Sequence, residues 1–303
     1  MTSLAEPAAP REAVAPELGR RALSGRRRVT DLVATVLIWI AVVIAVIPIA
    51  LVMYYVIVKG GRVISWEFLT ARIPRQLANP GGGIGPAIVG TVLMTGVASL
   101  LSIPLGVLGA IYLNEYGKQG TLARTIRLMA DVMTGVPSIV MGLFIYAAVV
   151  LSTEQSGLAG ALALACLMLP VIIRSSEEMF KLVPDELRQA SLALGARKWR
   201  TILTVVLPAA ISGIASGALL AIARAAGETA SIVLVVGLTQ RVNWHLSGSN
   251  TALPVQIYRN ATEPFQAATD RAWGAALTLV VIVMITTLIG RLIASRFATK
   301  ERE

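Results

Sequence analysis

Arg224 and Glu228 stand four residues apart in the run Ala221-Ile222-Ala223-Arg224-Ala225-Ala226-Gly227-Glu228-Thr229-Ala230, which is otherwise almost entirely small and apolar. A full charge at the centre of a membrane helix costs about 2.5–3.5 kcal/mol, so a charge kept there marks a structural or functional demand. On a continuous helix, positions i and i+4 share a face and the two side chains can pair. Two chemistries fit. One is a structural ion pair that lets the helix insert. The other is an anion way-station, in which the planar fork of Arg224 meets two oxyanion oxygens while Glu228 holds the guanidinium in place. Arg174, between Pro170-Val171-Ile172-Ile173 and Ser175-Ser176-Glu177-Glu178, offers a second cation for the same task. It can equally snorkel toward the cytoplasm with Glu177 or Glu178 as its partner. The hydroxyls of Ser138, Ser175 and Thr229 either line such a path or bond their own helices.

The elements that must position these residues follow from hydropathy. The chain has 303 residues, 55% hydrophobic and only 15% charged, with a mean hydropathy of +0.73. Six apolar runs, at about 31–58, 86–113, 125–151, 157–180, 205–238 and 272–295, each exceed the ~20 residues that cross a hydrocarbon core. Backbone polar groups find no water there, so the runs are expected to be helices. The fold class is an all-α membrane protein with six transmembrane helices. The first run is too long for a signal-peptide core and no small-residue cleavage site follows it, so it reads as a retained helix. Residues 1–28 read as a disordered basic cytoplasmic tail, 29–297 as the transmembrane domain and 298–303 as a C-terminal cytoplasmic tail. Gly213-x-x-x-Gly217 in the fifth run predicts close approach of a neighbouring helix.

Most of the 27 basic residues fall in the segments that share a side with both termini, which places the two ends in the cytoplasm. That asymmetry accounts for the net charge of +10 without a nucleic-acid partner. Cys166 is the sole cysteine and His245 the sole histidine, on different segments, so they frame neither a disulfide nor a zinc site.

Between the fourth and fifth runs lies a polar segment, 183–208, organised as helix, glycine, helix. Pro184 suits a first helical turn, and Asp185 and Glu186 complement the positive end of the helix dipole. Leu187, Ala190 and Leu194, with Leu192 or Ala193, make an apolar stripe. Gly195 permits a sharp turn, and Arg197, Lys198 and Arg200 follow with Trp199 among them. An amphipathic surface helix is one reading of this segment and a docking element is the other.

The same segment resembles the cytoplasmic loop of ATP-binding-cassette (ABC) importer permeases. Gln189-Ala190-Ser191 stands for that family's Glu-Ala-Ala, followed by Gly195 and by Val205-x-Leu207-Pro208. Gln189 replaces the acidic residue, which turns an ion pair with the ATPase into a neutral hydrogen bond unless Glu186 takes its place. Arg224-x-x-Gly227-Glu228-Thr229-Ala230 is similar to the signature of phosphate-specific ABC permeases. The runs Gly81–Thr91, Ile111–Gly117, Gly135–Leu143 and Leu169–Arg174 with Glu177 resemble their A-type subunit in order along the chain. The resemblance implies a type I ABC importer permease fold in the bacterial cell membrane, with a cytoplasmic coupling helix in the loop at about 183–204. It implies Arg174, Arg224, Glu228 and Thr229 on the phosphate path, and Glu186, Gln189, Ala190, Ser191 and Gly195 in ATPase coupling. The implied partners are a homologous C-type permease subunit in a heterodimer, two ATP-binding subunits that hold ATP and magnesium, an extracytoplasmic phosphate-binding protein, and membrane lipid.

This chain has no Gly-x4-Gly-Lys-Ser/Thr phosphate cradle, so a non-catalytic subunit without its own cofactor is expected. A permease for another oxyanion, such as sulfate, molybdate or phosphonate, would share the loop but not the Arg-x-x-Gly-Glu-Thr-Ala run. A secondary anion transporter would need no ATPase loop. A membrane enzyme would need a nucleophile–base pair or a metal cluster, and no span carries one.

Overall fold

The computed structural model describes residues 25–117 and 120–298, and every regular element among them is helical. The expectations for residues 1–24 and 299–303 lie outside the described residues. Helix α1 (Gly25–Gly61) begins earlier than the expected tail boundary at residue 28. A short α2 (Trp66–Thr70) follows, capped by Ser65, whose Oγ accepts from the Phe68 N–H at 3.0 Å. Helix α3 (Gly85–Ile111) continues through a π-helical turn, Tyr112–Gly117. Next come α4 (Thr121–Gly135) and α5 (Ser138–Ile145), the latter extended by a π turn, Tyr146–Val150, into α6 (Leu151–Thr153). The long α7 (Gly157–Lys181) leads to α8 (Asp185–Ala193) and α9 (Lys198–Thr201). A π turn, Ile202–Val206, joins α9 to α10 (Leu207–Ala226); α11 (Leu253–Ala261) and α12 (Gln266–Ala298) close the chain.

Five of these helical segments are long and apolar enough to cross a membrane, and there are six if one bent pair counts as a span. Two expectations need correcting. The third run is no straight helix: α4 and α5 meet at 108°. Pro137 disfavours helical geometry at the residue before it, and Val136 is extended (φ −72°, ψ 130°). The fifth run does not stay helical to residue 238. It stops at Ala226, and 229–236 folds back in tight turns, with the Val233 N–H on the Thr229 carbonyl (3.0 Å) and the Val236 N–H on the Ile232 carbonyl (3.0 Å).

The chain divides into two compact units, residues up to Tyr54 and residues from Tyr55 onward. In the second unit the main core joins Met94 and Ala98 of α3, Leu164, Met168 and Ile172 of α7, Ala221 and Ala225 of α10, and Ile232, Val235 and Val236 of the returning turn. Small residues make this possible. A side chain at Gly106 would overlap Ile172, and one at Gly217 would overlap Ser175. One at Gly213 would overlap Met179, so the Gly213-x-x-x-Gly217 stripe does seat α10 on α7. Gly90 meets the Thr251 carbonyl, and Gly142 meets the Ser231 backbone.

A flexible thioether can yield to an added methyl group, whereas a backbone carbonyl cannot. Gly90→Ala is therefore expected to destabilise the purified protein by about 1–3 kcal/mol, and Gly213→Ala by clearly less. Thermal unfolding in detergent compares the two; equal shifts would contradict this packing.

Candidate functional site

The last turns of α7 carry Arg174, Glu177 and Lys181 at helical spacing, and α4 packs Arg127 and Asp131 against them. Glu177 is 0% exposed. Arg127 Nε donates to its Oε1 at 2.7 Å, and Lys181 Nζ lies 3.5 Å from the same oxygen. The second oxygen, Oε2, has no hydrogen-bond donor; its neighbour is Arg174 Nη1 at 3.9 Å. A buried carboxylate without cations would be prohibitive, and three converge on this one. Arg174 in turn bonds Asp131 Oδ1 through Nη2. Of the two partners expected for Arg174, Glu177 is the one found, while Glu178 pairs with Lys181 at 2.8 Å. The sequence reading passed over Asp131. The signal was there: Arg127 and Asp131 are also four residues apart, and Asp131 falls inside an apolar run.

The expected Arg224–Glu228 pair is not formed. Gly227 ends α10 (φ −92°, ψ −1°), so Glu228 is off the helix and no longer one turn above Arg224. The Glu228 carboxylate instead accepts the Ala230 N–H at 3.1 Å and shapes the chain reversal. Arg224 is exposed in the last turn of α10, where the negative end of the helix dipole favours a cation. No carboxylate among the described residues lies within ion-pair distance of it. Nor do Arg174 and Arg224 form one site. Gly213 faces Met179 and Gly217 faces Ser175, so α7 and α10 run antiparallel. Arg224, seven residues beyond Gly217, lies about 10 Å further along the axis than the level of Arg174. Thr229 begins the returning turn, and Ser175 Oγ bonds its own helix at Ile172 O (3.3 Å).

The expected helix–glycine–helix element is present as α8, Gly195 and α9. Gly195 has φ +81°, a left-handed conformation open to glycine at little cost. Glu186, Gln189 and Ala190 are exposed on α8, as are Leu187 and Leu192 and, just past its end at 89%, Leu194. Ser191 faces inward, its Oγ 2.9 Å from Thr201 Oγ1, and so staples α8 to α9. Arg188 anchors the element. Its guanidinium donates to Glu115 Oε1 (3.1 Å), Asp185 Oδ1 (3.0 Å), Val183 O (2.6 Å) and Phe180 O (2.8 Å). Lys198 bonds the Glu115 carbonyl and stands 4.6 Å above the Tyr116 ring. At the opposite end of the bundle, Arg271 is buried and holds the 77–81 loop through the carbonyls of Leu77, Asn79 (2.9 Å) and Gly81 (3.1 Å).

This arrangement can do two things. It presents a partly apolar ledge on one end of a helical bundle, and it places an exposed arginine, Arg224, at a different level from the carboxylate-paired Arg174. The family model for the inner membrane component of binding-protein-dependent transport systems matches residues 102–302. Phosphate transport system permease protein PstA 1 of Mycobacterium tuberculosis is 43% identical over 290 residues, 93% of either chain. Phosphate transport system permease protein PstA of Mycobacterium leprae is 42% identical, again over 93% of each. Among solved structures, a chain of the MetNI methionine ABC transporter in an inward-facing conformation is 20% identical with a TM-score of 0.55, covering 71% of this chain and 94% of that one. That likeness shows the type I ABC importer permease fold. The chain is thus a multi-pass inner-membrane protein that belongs to the binding-protein-dependent transport system permeases, in the branch of the PstA proteins.

Proposed function

We propose that this chain is the non-catalytic transmembrane subunit of an ATP-driven importer of inorganic phosphate. A homologous C-type permease completes the translocation path along the face that bears Arg224. Two ATPase subunits, which bind the ATP and magnesium, receive the exposed side of α8 from the cytoplasm. A phosphate-binding protein docks outside, on the loops around 59–85 and 239–271. Both termini are cytoplasmic. ATP-driven closure then rocks the two permease halves between outward and inward states.

The observation that carries this reading is Arg224, a cation on the exposed face of an apolar helix with no counter-ion among the described residues. A passing oxyanion supplies that counter-ion for a moment, and a site of this kind binds weakly enough to release. Arg174 is a second stop, where the anion competes with Asp131 for the guanidinium. Glu228 and Thr229 hold the turn beyond Arg224. Gln189, Ala190 and Gly195, with Glu186, face the ATPase, and Ser191 keeps the ledge in shape.

Losing a charge-assisted hydrogen bond costs about 1.5–3 kcal/mol, so Arg224→Gln should lower phosphate uptake by about 10- to 100-fold at an unchanged membrane level. Uptake of radiolabelled phosphate into vesicles holding the whole complex measures this; normal uptake would remove Arg224 from the path. Proline fixes φ near −65° and cannot adopt the +81° of Gly195. Gly195→Pro, and separately Ala190→Asp on the exposed face, should therefore abolish co-purification of the ATPase subunits while the permease stays in the membrane. Retained co-purification with full transport would refute the docking assignment.

A further inference from the structure

The cytoplasmic ledge and Arg174 are joined by two sets of polar contacts, which the backbone of the π-helical turn Tyr112–Gly117 links in the middle. At one end, Arg188 of α8 and Lys198 of α9 hold Glu115 by its carboxylate and by its carbonyl. Asn114 Nδ2 steadies the same carboxylate at 2.8 Å. Leu113, fully buried two residues back, gives its carbonyl to Arg127 Nη2 at 2.8 Å. Arg127 then donates to Glu177, and the other oxygen of Glu177 faces Arg174, which Asp131 holds.

Three features make this more than a set of neighbours. Glu115 and Glu177 are both buried, so each must stay paired as the helices move. Arg127 divides its donors between two elements, the α3 terminus and α7, so a shift of one is felt by the other. The link is a π turn, a register that frequently marks functional positions.

We propose that Glu115 and Arg127 are positioning residues of an ionic relay, through which motion of the ATPase-bound α8–α9 ledge alters the hold of Asp131 and Glu177 on Arg174. With the ledge at rest, Arg174 is held by carboxylates. When the ledge is pulled, the π turn carries Arg127 with it, Glu177 follows, and Arg174 is freed for the anion. The inference rests on the functional reading above, since it assigns the regulation of that same site.

The test uses the complete complex in vesicles, with inorganic phosphate outside and ATP available to the ATPase subunits. ATP hydrolysed per phosphate imported is measured for the unaltered complex, Glu115→Gln, Arg127→Gln and the double variant. Mutations along a physical coupling route shift it by modest factors, so each single variant should raise the ratio about fivefold. The double variant should do little more, because one chain is broken only once. An unchanged ratio, with uptake and hydrolysis falling together in proportion to assembled complex, would overturn the relay, as would additive effects of the two substitutions. If Arg127→Gln fails to assemble, Glu115→Gln alone decides by the same ratio. The unaltered complex separates the two ideas: no phosphate uptake by it refutes the substrate, whereas normal uptake by it with unshifted variants refutes the relay alone.

Discussion

The carboxylate of Glu177 has no exposed surface, and the arrangement of the end of the bundle that carries α8 and α9 depends on keeping it paired. Burying an ion costs several kcal/mol, and removing one partner of a buried pair leaves that cost uncompensated. Lys181 and Arg174 meet the demand from the carboxylate's own helix and Arg127 from α4; the Arg127–Glu177 and Arg174–Asp131 pairs tie the two helices together. Asp131 balances Arg174, and Arg127 carries the connection onward to the end of α3. A second buried carboxylate, Glu115, ties that end to Arg188 and the ledge beneath it. Apolar packing brings the helices together through glycines at their crossings, but charge decides how the ends are held.

Much of this fold was legible in the sequence, because hydrocarbon imposes strong rules on composition. Spans one, two, four and six appear where the apolar runs lie, and the ledge appears where Pro184, Gly195 and the flanking charges place it. Misjudged helix ends share a cause. Val136-Pro137 and Gly227-Glu228 are local stop signals embedded in hydrophobic runs, and hydropathy alone reads through them. The Arg224–Glu228 pair was inferred from spacing on a helix that ends before Glu228. Asp131, Arg127, Glu115 and Arg188 were visible as charges, but not as partners. Their contacts join residues 43, 50 and 73 positions apart, and no periodicity reports such meetings.

The two arginines singled out in the sequence therefore have different characters. Arg174 is a partly exposed cation, bonded to Asp131 of α4 and flanked by Glu177 of its own helix. Arg224 is exposed on α10 at another level, facing away from the core that its neighbours Ala225 and Ala226 enter. A subunit that exposes an arginine in this way, together with a partly apolar ledge at one end, is shaped to work inside an assembly. That agrees with its membership of a permease family whose relatives act within binding-protein-dependent systems.

The central claim is that anion passage through this chain is driven from other polypeptides and is selective for phosphate. The most direct measurement is anion accumulation in vesicles that hold either this subunit alone or its full complex, with and without ATP, comparing phosphate with sulfate. The account predicts phosphate accumulation by the complex only when ATP is hydrolysed, and none by the subunit alone. Phosphate movement by the solitary chain, or a complex that takes up sulfate as readily as phosphate, would contradict it.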